Sequence, residues 1–348
     1  MYKLQNIILF ICLLLYAGCA IADNIKNTQL KDNLINAKEI SLYQCYLIKK
    51  EPVLDGKVDD DCWQFIPEAR CFFLLGGNEF ATVKPSWFKA GWDNENFYFA
   101  FKAEEPDVQK IEAKRPDGDK FLWMEDSVEL FLIPPEMNCW QFIVNTISSK
   151  WNAVGIAQTV PLENWQAKSF VGKDFWSVEI KIPFKVLGKI PSDGEKWKIN
   201  VGRNNLTGPA EERVSCWPKI QKSFHEVENY GTIVFKKKML NKKESDAIEH
   251  EINEPRYNIL KWKITSLAQV YEADYKPWIE KAYSIPSLKG QGEQLANVWS
   301  LVMSYYDRMK KSPEINLKEI SEVLLKTRGL KEKTEELKKK VEMESLFN

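Results

Sequence analysis

Thirteen tryptophans and two histidines set the chemistry open to this 348-residue chain. Ten of the indoles fall between Trp63 and Trp217, among short alternating segments broken by Gly, Pro and Asn. Two histidines cannot build an elaborate imidazole centre, and no HExxH, phosphate-loop or serine-elbow motif occurs. Carboxylate pairs such as Asp126 and Glu129 are too common to signal glycoside hydrolysis, which needs two acids at a defined separation. A haem-holding redox module is also short of ligands: Met124, Met137 and His225 are the available set, with no CxxCH. The composition therefore favours a ring-lined binding surface over a catalytic or metal centre.

The elements that must position such rings are strands. Segments 86–92, 96–103, 127–133, 139–145, 175–182, 196–202 and 231–235 are rich in aromatic and β-branched residues and are bounded by turn formers. Polar Asp93-Asn94-Glu95-Asn96 makes the first two a hairpin. The pattern predicts a mainly β chain, an antiparallel β-sandwich of jelly-roll type, followed by a C-terminal α-helical region. Strand alternation places Trp92 on one core face with Phe88 and Ala90, and Trp63, Trp176 and Trp197 read the same way. Past residue 236, glycine becomes scarce and apolar residues recur at spacings of three and four. Leu317, Ile320, Leu324, Leu330, Leu337 and Val341 form one stripe after a Ser312-Pro313 start signal. Helices are expected near 257–271 and 293–309, separated by Pro277, Pro286, Gly290 and Gly292. The Lys-rich 331–340 alternates with Glu and reads as a solvated helix face.

Lys3 precedes an apolar run at 7–17, too short to span a bilayer, and Ala20-Ile21-Ala22 offers a cleavage site before Asp23. Residues 1–22 are read as a secretory signal. The alternative is a lipoprotein signal ending at 18, with Cys19 lipidated. Residues 23–40 are a linker, 41–237 the sandwich and 238–348 a helical extension. The expected location is secreted, periplasmic or cell-surface. No later stretch reads as a transmembrane span, and zero formal charge gives no electrostatic footprint for nucleic acid. Of five cysteines beyond the signal, an odd number, a Cys62–Cys71 bridge and free buried thiols are equally open.

An ordered series of motifs then carries a resemblance. Asp55-Gly56-Lys57-Val58-Asp59-Asp60-Asp61-Cys62-Trp63 opens it, followed by Ala90-Gly91-Trp92-Asp93 with Phe97-Tyr98-Phe99-Ala100, and by Asp126-Ser127-Val128-Glu129-Leu130-Phe131-Leu132. Phe142-Ile143-Val144-Asn145, Trp176-Ser177-Val178-Glu179 through Pro183, Trp197 through Arg203, Ser215-Cys216-Trp217-Pro218 and Phe224-His225 to Gly231 complete it. Across 47–235 the chain resembles family 9 carbohydrate-binding domains. The resemblance implies a non-catalytic β-sandwich that binds glycans outside a bacterial cell; the helices lie outside it.

A pyranose shows C–H groups on a face and hydroxyls at its rim, so indoles supply contact while Arg, Asn and Glu supply orientation. The candidates near the matched motifs are Arg115, Trp123, Glu129, Asn145, Arg203 and Trp217. Trp123 follows the loop-like Arg115-Pro116-Asp117-Gly118-Asp119, and Trp217 precedes Pro218, so both rings are expected to be exposed; Trp151 and Trp165 are weaker platforms. Glu129 shares a strand face with Phe131, opposite Val128 and Leu130; if buried it needs a partner, and Arg115 and Arg203 are the expected ones. His225 reads as a hydrogen-bonding loop residue. Family members can hold calcium structurally, and Asp55, Asp59, Asp60 and Asp61 are the acidic cluster available for it. The competing reading is a structural or assembly protein whose sandwich is a scaffold and whose C-terminal helices dock a protein partner.

Overall fold

The computed structural model describes residues 41–347 apart from 78, 83, 156–158 and 313–316. The signal segment, Cys19 and the 23–40 linker thus lie outside the described residues. Thirteen strands follow: β1 (Leu42–Leu47), β2 (Glu68–Ala69), β3 (Phe73–Leu74), β4 (Ser86–Trp92), β5 (Asn96–Glu104), β6 (Ser127–Ile133), β7 (Trp140–Asn145), β8 (Lys150–Val154), β9 (Gln166–Val171), β10 (Phe175–Pro183), β11 (Lys196–Asn204), β12 (Val214–Cys216) and β13 (Gly231–Lys236). Ten of them form one hydrogen-bonded path in the order β8-β7-β6-β11-β13-β1-β4-β5-β10-β9, with β2 paired to β4, and β12 paired to β11 and β3, off this path. The path folds over itself as a near-barrel sandwich. Val128, Leu130 and Leu132 of β6 and Phe142 of β7 share one core with Phe97, Phe99 and Phe101 of β5 and Trp176, Val178 and Ile180 of β10. Trp92, Trp176 and Trp197 lie in this core and Trp63 in an adjoining cluster, where alternation puts them.

The sheet is mixed rather than purely antiparallel. β1 runs parallel to both β13 and β4 and closes the gap between the two halves. Both partners are distant from β1 in sequence, so no tight turn imposes an antiparallel pairing on them. β4 and β5 do form the expected hairpin, paired from Trp92↔Phe97 to Ser86↔Ala103.

The Asp55–Trp63 motif is a structural clamp. The Glu179 carboxylate on β10 accepts from the Gly56 amide at 2.9 Å, the Asp55 amide at 3.2 Å and the Trp63 indole at 2.8 Å. Gly56 is needed here: its φ is +86°, and a Cβ would stand 2.5 Å from the Ser169 carbonyl carbon of β9.

Helix α1 (Phe184–Leu187) is a single turn inside the sandwich. After β13 come α2 (Lys242–Val270), a π turn (Tyr271–Tyr275), α3 (Lys276–Ala282), α4 (Lys289–Lys311), α5 (Leu317–Lys326) and α6 (Leu330–Phe347). α2 begins well before 257 because Asn241 and Glu244 form a capping box. Gly290 and Gly292 lie inside α4 rather than before it; a Cβ on Gly292 would stand 3.1 Å from that of Ala282, so this glycine lets α4 approach α3. Ile320, Leu330, Leu337 and Val341 of the apolar stripe are buried, and Gly329, at φ +65°, divides the stripe between α5 and α6. These helices enclose a second core around Trp299, whose indole donates to Thr334 at 3.1 Å.

α2 locks this bundle to the sandwich. Fully buried Arg256 donates to the Cys71 carbonyl at 2.7 Å, the Trp217 carbonyl at 2.8 Å and the Ser41 hydroxyl at 2.9 Å. Asn253 accepts from the Arg70 amide at 2.8 Å and donates to the Glu68 carbonyl at 2.6 Å. The five cysteines among the described residues are free thiols, and Cys45, Cys62 and Cys216 are buried.

Candidate functional site

The loop between β5 and β6 is held from both sides, and beside its exposed polar residues it presents three large apolar side chains to water. Glu125, itself buried, accepts from the Lys114 and Arg115 amides, each at 3.0 Å, and from the Asn145 side chain at 3.0 Å. Asp119 accepts from the Phe121 amide at 2.8 Å and from the Arg115 guanidinium at 2.9 Å. The Gly118 amide donates to the Lys150 carbonyl at 3.0 Å, and the Lys150 amide returns a bond to the Asp117 carboxylate at 2.8 Å. On this frame a short turn, Leu122–Met124, buries Leu122 and presents Trp123 at 48% exposure, flanked by Phe121 at 42% and Met124 at 47%. Three large apolar side chains in one rigid loop make a preorganised contact surface.

Arg115 lies beside this surface, partly exposed, with its guanidinium carbon 5.8 Å from the Phe121 ring centre. Its second acidic neighbour is Glu125, 3.8 Å from Nε, an atom with no hydrogen-bond partner. Of the six expected site residues, Trp123 and Arg115 are the two that the structure leaves accessible, on the same loop, with Arg115 beside Phe121.

Glu129 and Asn145 lie on the outer face of the same sheet half and are buried. Register puts Ser127 opposite Asn145 and Asn204, and Glu129 opposite Ile143 and Gly202. The partners of Glu129 are amides, not the expected arginines: Gln141 donates at 2.7 Å and Asn204 at 2.8 Å, one to each oxygen. Burial pushes the Glu129 carboxyl up, and these two bonds oppose the shift. Asn145 closes the β7–β8 turn by accepting from the Ser149 and Ile147 amides. Phe224, His225 and Tyr230 pack on Phe131 and cover the rest of this outer face. Burial lowers the His225 pKa, and its own amide donates to Ser223.

Two expectations are corrected. Arg203 has the parity of Ile199 and Val201, so it points into the sandwich, not to a rim. There it donates to the Lys84 carbonyl at 2.5 Å, Ser86 at 3.1 Å and the Glu104 carbonyl at 3.2 Å, and lies 3.6 Å from Glu105, which also pairs with buried Lys84. This network ties the two sheet halves at one end. Trp217 has no exposed face: it packs edge-on to Phe88 at 5.2 Å, and the Arg256 guanidinium from α2 covers it at 4.7 Å. Trp165 is buried too, its indole bonded to Asn152 at 2.9 Å, while Trp151 is partly exposed on β8.

Three of the four acidic residues at 55–61 are engaged locally, and Asp59 is exposed. Asp55 caps the Lys57 amide and pairs with its ammonium, Asp60 accepts from the Val53 amide, and Asp61 from Gln64. Among the described residues no three His, Cys, Asp or Glu side chains converge on a metal-sized position. Phe121 and Met124 escape sequence reasoning because single apolar residues in a loop ordinarily anchor it inward.

Comparison with solved structures finds likeness at low identity. A provisionally assigned carbohydrate-binding protein from Bacteroides uniformis is 14% identical, with a TM-score of 0.47, covering 56% of this chain and 99% of its own. A family 9 module from Caldicellulosiruptor kristjanssonii in complex with glucose is 19% identical, with a TM-score of 0.41, covering 57% and 98%; its complex with cellotriose gives 19%, 0.41, 56% and 94%. No curated protein sequence matches. The family model described as "Carbohydrate family 9 binding domain-like" matches residues 54–238, more than half of the chain, and with the sandwich and its motif clamps in place the protein belongs to that family.

Proposed function

We propose that this protein binds a neutral glycan outside the cytoplasm, without catalysis, at the surface made by Trp123, Phe121 and Met124 with Arg115 at its edge. The observation that carries this reading is a loop whose backbone is pinned by Glu125, Asp119 and Asp117 while its large apolar side chains stay in water. Nothing in the fold is gained by exposing them, and a stacked sugar face recovers that cost. Arg115, already oriented by Asp119, is placed to donate to a rim hydroxyl. The buried Glu129 network supports this loop's sheet from below rather than gripping sugar itself.

A glycan-array screen of the chain from Asp23, run beside Trp123→Ala, tests the proposal. Saturable binding to one neutral glycan class that the variant loses supports it. Binding that the variant retains unchanged moves the site elsewhere, and binding only to proteins favours the scaffold reading.

A further inference from the structure

The sandwich carries a second concavity, beside the β4–β5 turn, and it has the makings of a ligand site. Its volume is about 490 Å³, within the range of small-molecule sites. The β4–β5 turn, the turn before β9 and the end of β10 with α1 form its walls. The frame is fixed: the Asp93 carboxylate accepts from the Glu95 and Asn96 amides at 2.8 and 2.7 Å and from the Tyr98 hydroxyl at 2.7 Å.

Inside that frame three side-chain amides, Asn94, Asn164 and Gln166, face the cavity with no side-chain hydrogen bond to any described residue. Each is exposed, so each offers both a donor and an acceptor to a ligand. The lining carries charges of both signs, Glu95 and Glu163 with Lys181 and Lys185, and Lys181 is paired with Glu51 outside the cleft. Pro183 and Ile190, the latter 61% exposed, add C–H surface. A cleft with unpaired amides, charges of both signs and a small apolar wall suits a ligand dense in hydroxyls.

We infer that this cleft is a second binding site for an uncharged polyhydroxylated ligand, a neutral hexose or short oligosaccharide, using Asn94, Asn164 and Gln166 as rim hydrogen-bonding groups. The ligand class rests on the glycan-binding reading above; the site does not depend on Trp123. The wall that carries Asn164 and Gln166 reaches toward the Trp123 loop: a Cβ on Gly118 would stand 3.7 Å from Leu162, and Gln166 shares a smaller concavity with Asp117. A long polysaccharide engaging both gains avidity that neither supplies alone.

Isothermal titration of the chain from Asp23 with cellotriose, xylotriose and maltotriose separates the sites. The comparison uses the parent, Trp123→Ala, the pair Asn164→Ala/Gln166→Ala, and the triple variant. The inference predicts that Trp123→Ala keeps binding to at least one trisaccharide and that adding the pair weakens it by about tenfold or more, the loss of two neutral hydrogen bonds. Asn94→Trp, which fills the cleft from an exposed turn, gives the same loss without touching Asn164 or Gln166. Affinities within about twofold of parent in both cleft variants overturn the second site while leaving the Trp123 reading standing. Loss in the cleft variants with none in Trp123→Ala does the reverse, and no trisaccharide binding by the parent overturns both.

Discussion

Replacing Arg256 with alanine tests whether sandwich and helices are one folding unit. The guanidinium is fully buried with no carboxylate partner among the described residues, so its charge is held by the Cys71 and Trp217 carbonyls, the Ser41 hydroxyl and the faces of Trp217 and Phe73. Truncation orphans three buried acceptors, each at about 1–3 kcal/mol, and relieves the cost of burying the charge. Water entering the vacated space satisfies part of that loss, which leaves a net destabilisation of about 3–5 kcal/mol. Urea denaturation followed by tryptophan fluorescence and by far-UV circular dichroism reads both halves at once. The parent is expected to give coincident transitions, and Arg256→Ala a large loss or separated transitions in which the sandwich and bundle unfold independently. A loss under about 1 kcal/mol with coincident transitions refutes the argument that Arg256 is the pin.

Three further outcomes follow from the same contacts. Gly56→Ala drives a Cβ into β9 at positive φ and is expected to cost about 2 kcal/mol or more in the same denaturation assay; a neutral result contradicts the close approach. Burial raises the carboxyl pKa of Glu68, Asp126, Glu129 and Glu179, so the folded state holds protons that the unfolded chain releases. Their contribution is complete below about pH 4 and is lost as pH rises through the folded values, whereas Asp55, Asp119 and Glu244, lowered by hydrogen bonds, lose theirs only on acidification. The melting temperature is therefore expected to fall as pH rises above the ordinary carboxylate range, less steeply in Glu129→Gln; a profile identical in the variant contradicts this. Because Asp55, Asp60 and Asp61 are engaged in their own turns, adding calcium or a chelator is expected to leave the melting temperature unchanged, and a chelator-induced drop argues for a site.

Strand alternation makes β4 and β6 legible because each has one largely apolar face: Phe88, Ala90 and Trp92, and Val128, Leu130 and Leu132, point inward as period two requires. β1 is not legible in the same way. Its Tyr-Gln-Cys-Tyr run carries no hydrophobic block, and its value lies in pairing with β13 and β4, strands distant in sequence. The site divides similarly. Trp123 follows a Gly-containing loop and is exposed, a property set locally. Trp217 also stands in a loop, but its exposure is decided 39 residues later by Arg256, which no local pattern reveals. Arg203 shows the limit of residue type as a guide: its parity with Val201 points it inward, against its charge, and the acidic and carbonyl partners that make this tolerable come from β4, β5 and the loops beside them. The family's motif residues are recognisable for a related reason, since Gly56, Trp63 and Glu179 make the clamp that builds the sandwich.

The most direct measurement is a calorimetric titration of the best array glycan into the chain from Asp23 and into Trp123→Ala and Arg115→Ala. The account predicts that losing the indole weakens binding by about tenfold or more and losing the guanidinium by about threefold to tenfold, with melting temperatures near the parent's. Parent-like affinity in Trp123→Ala would contradict the proposed site.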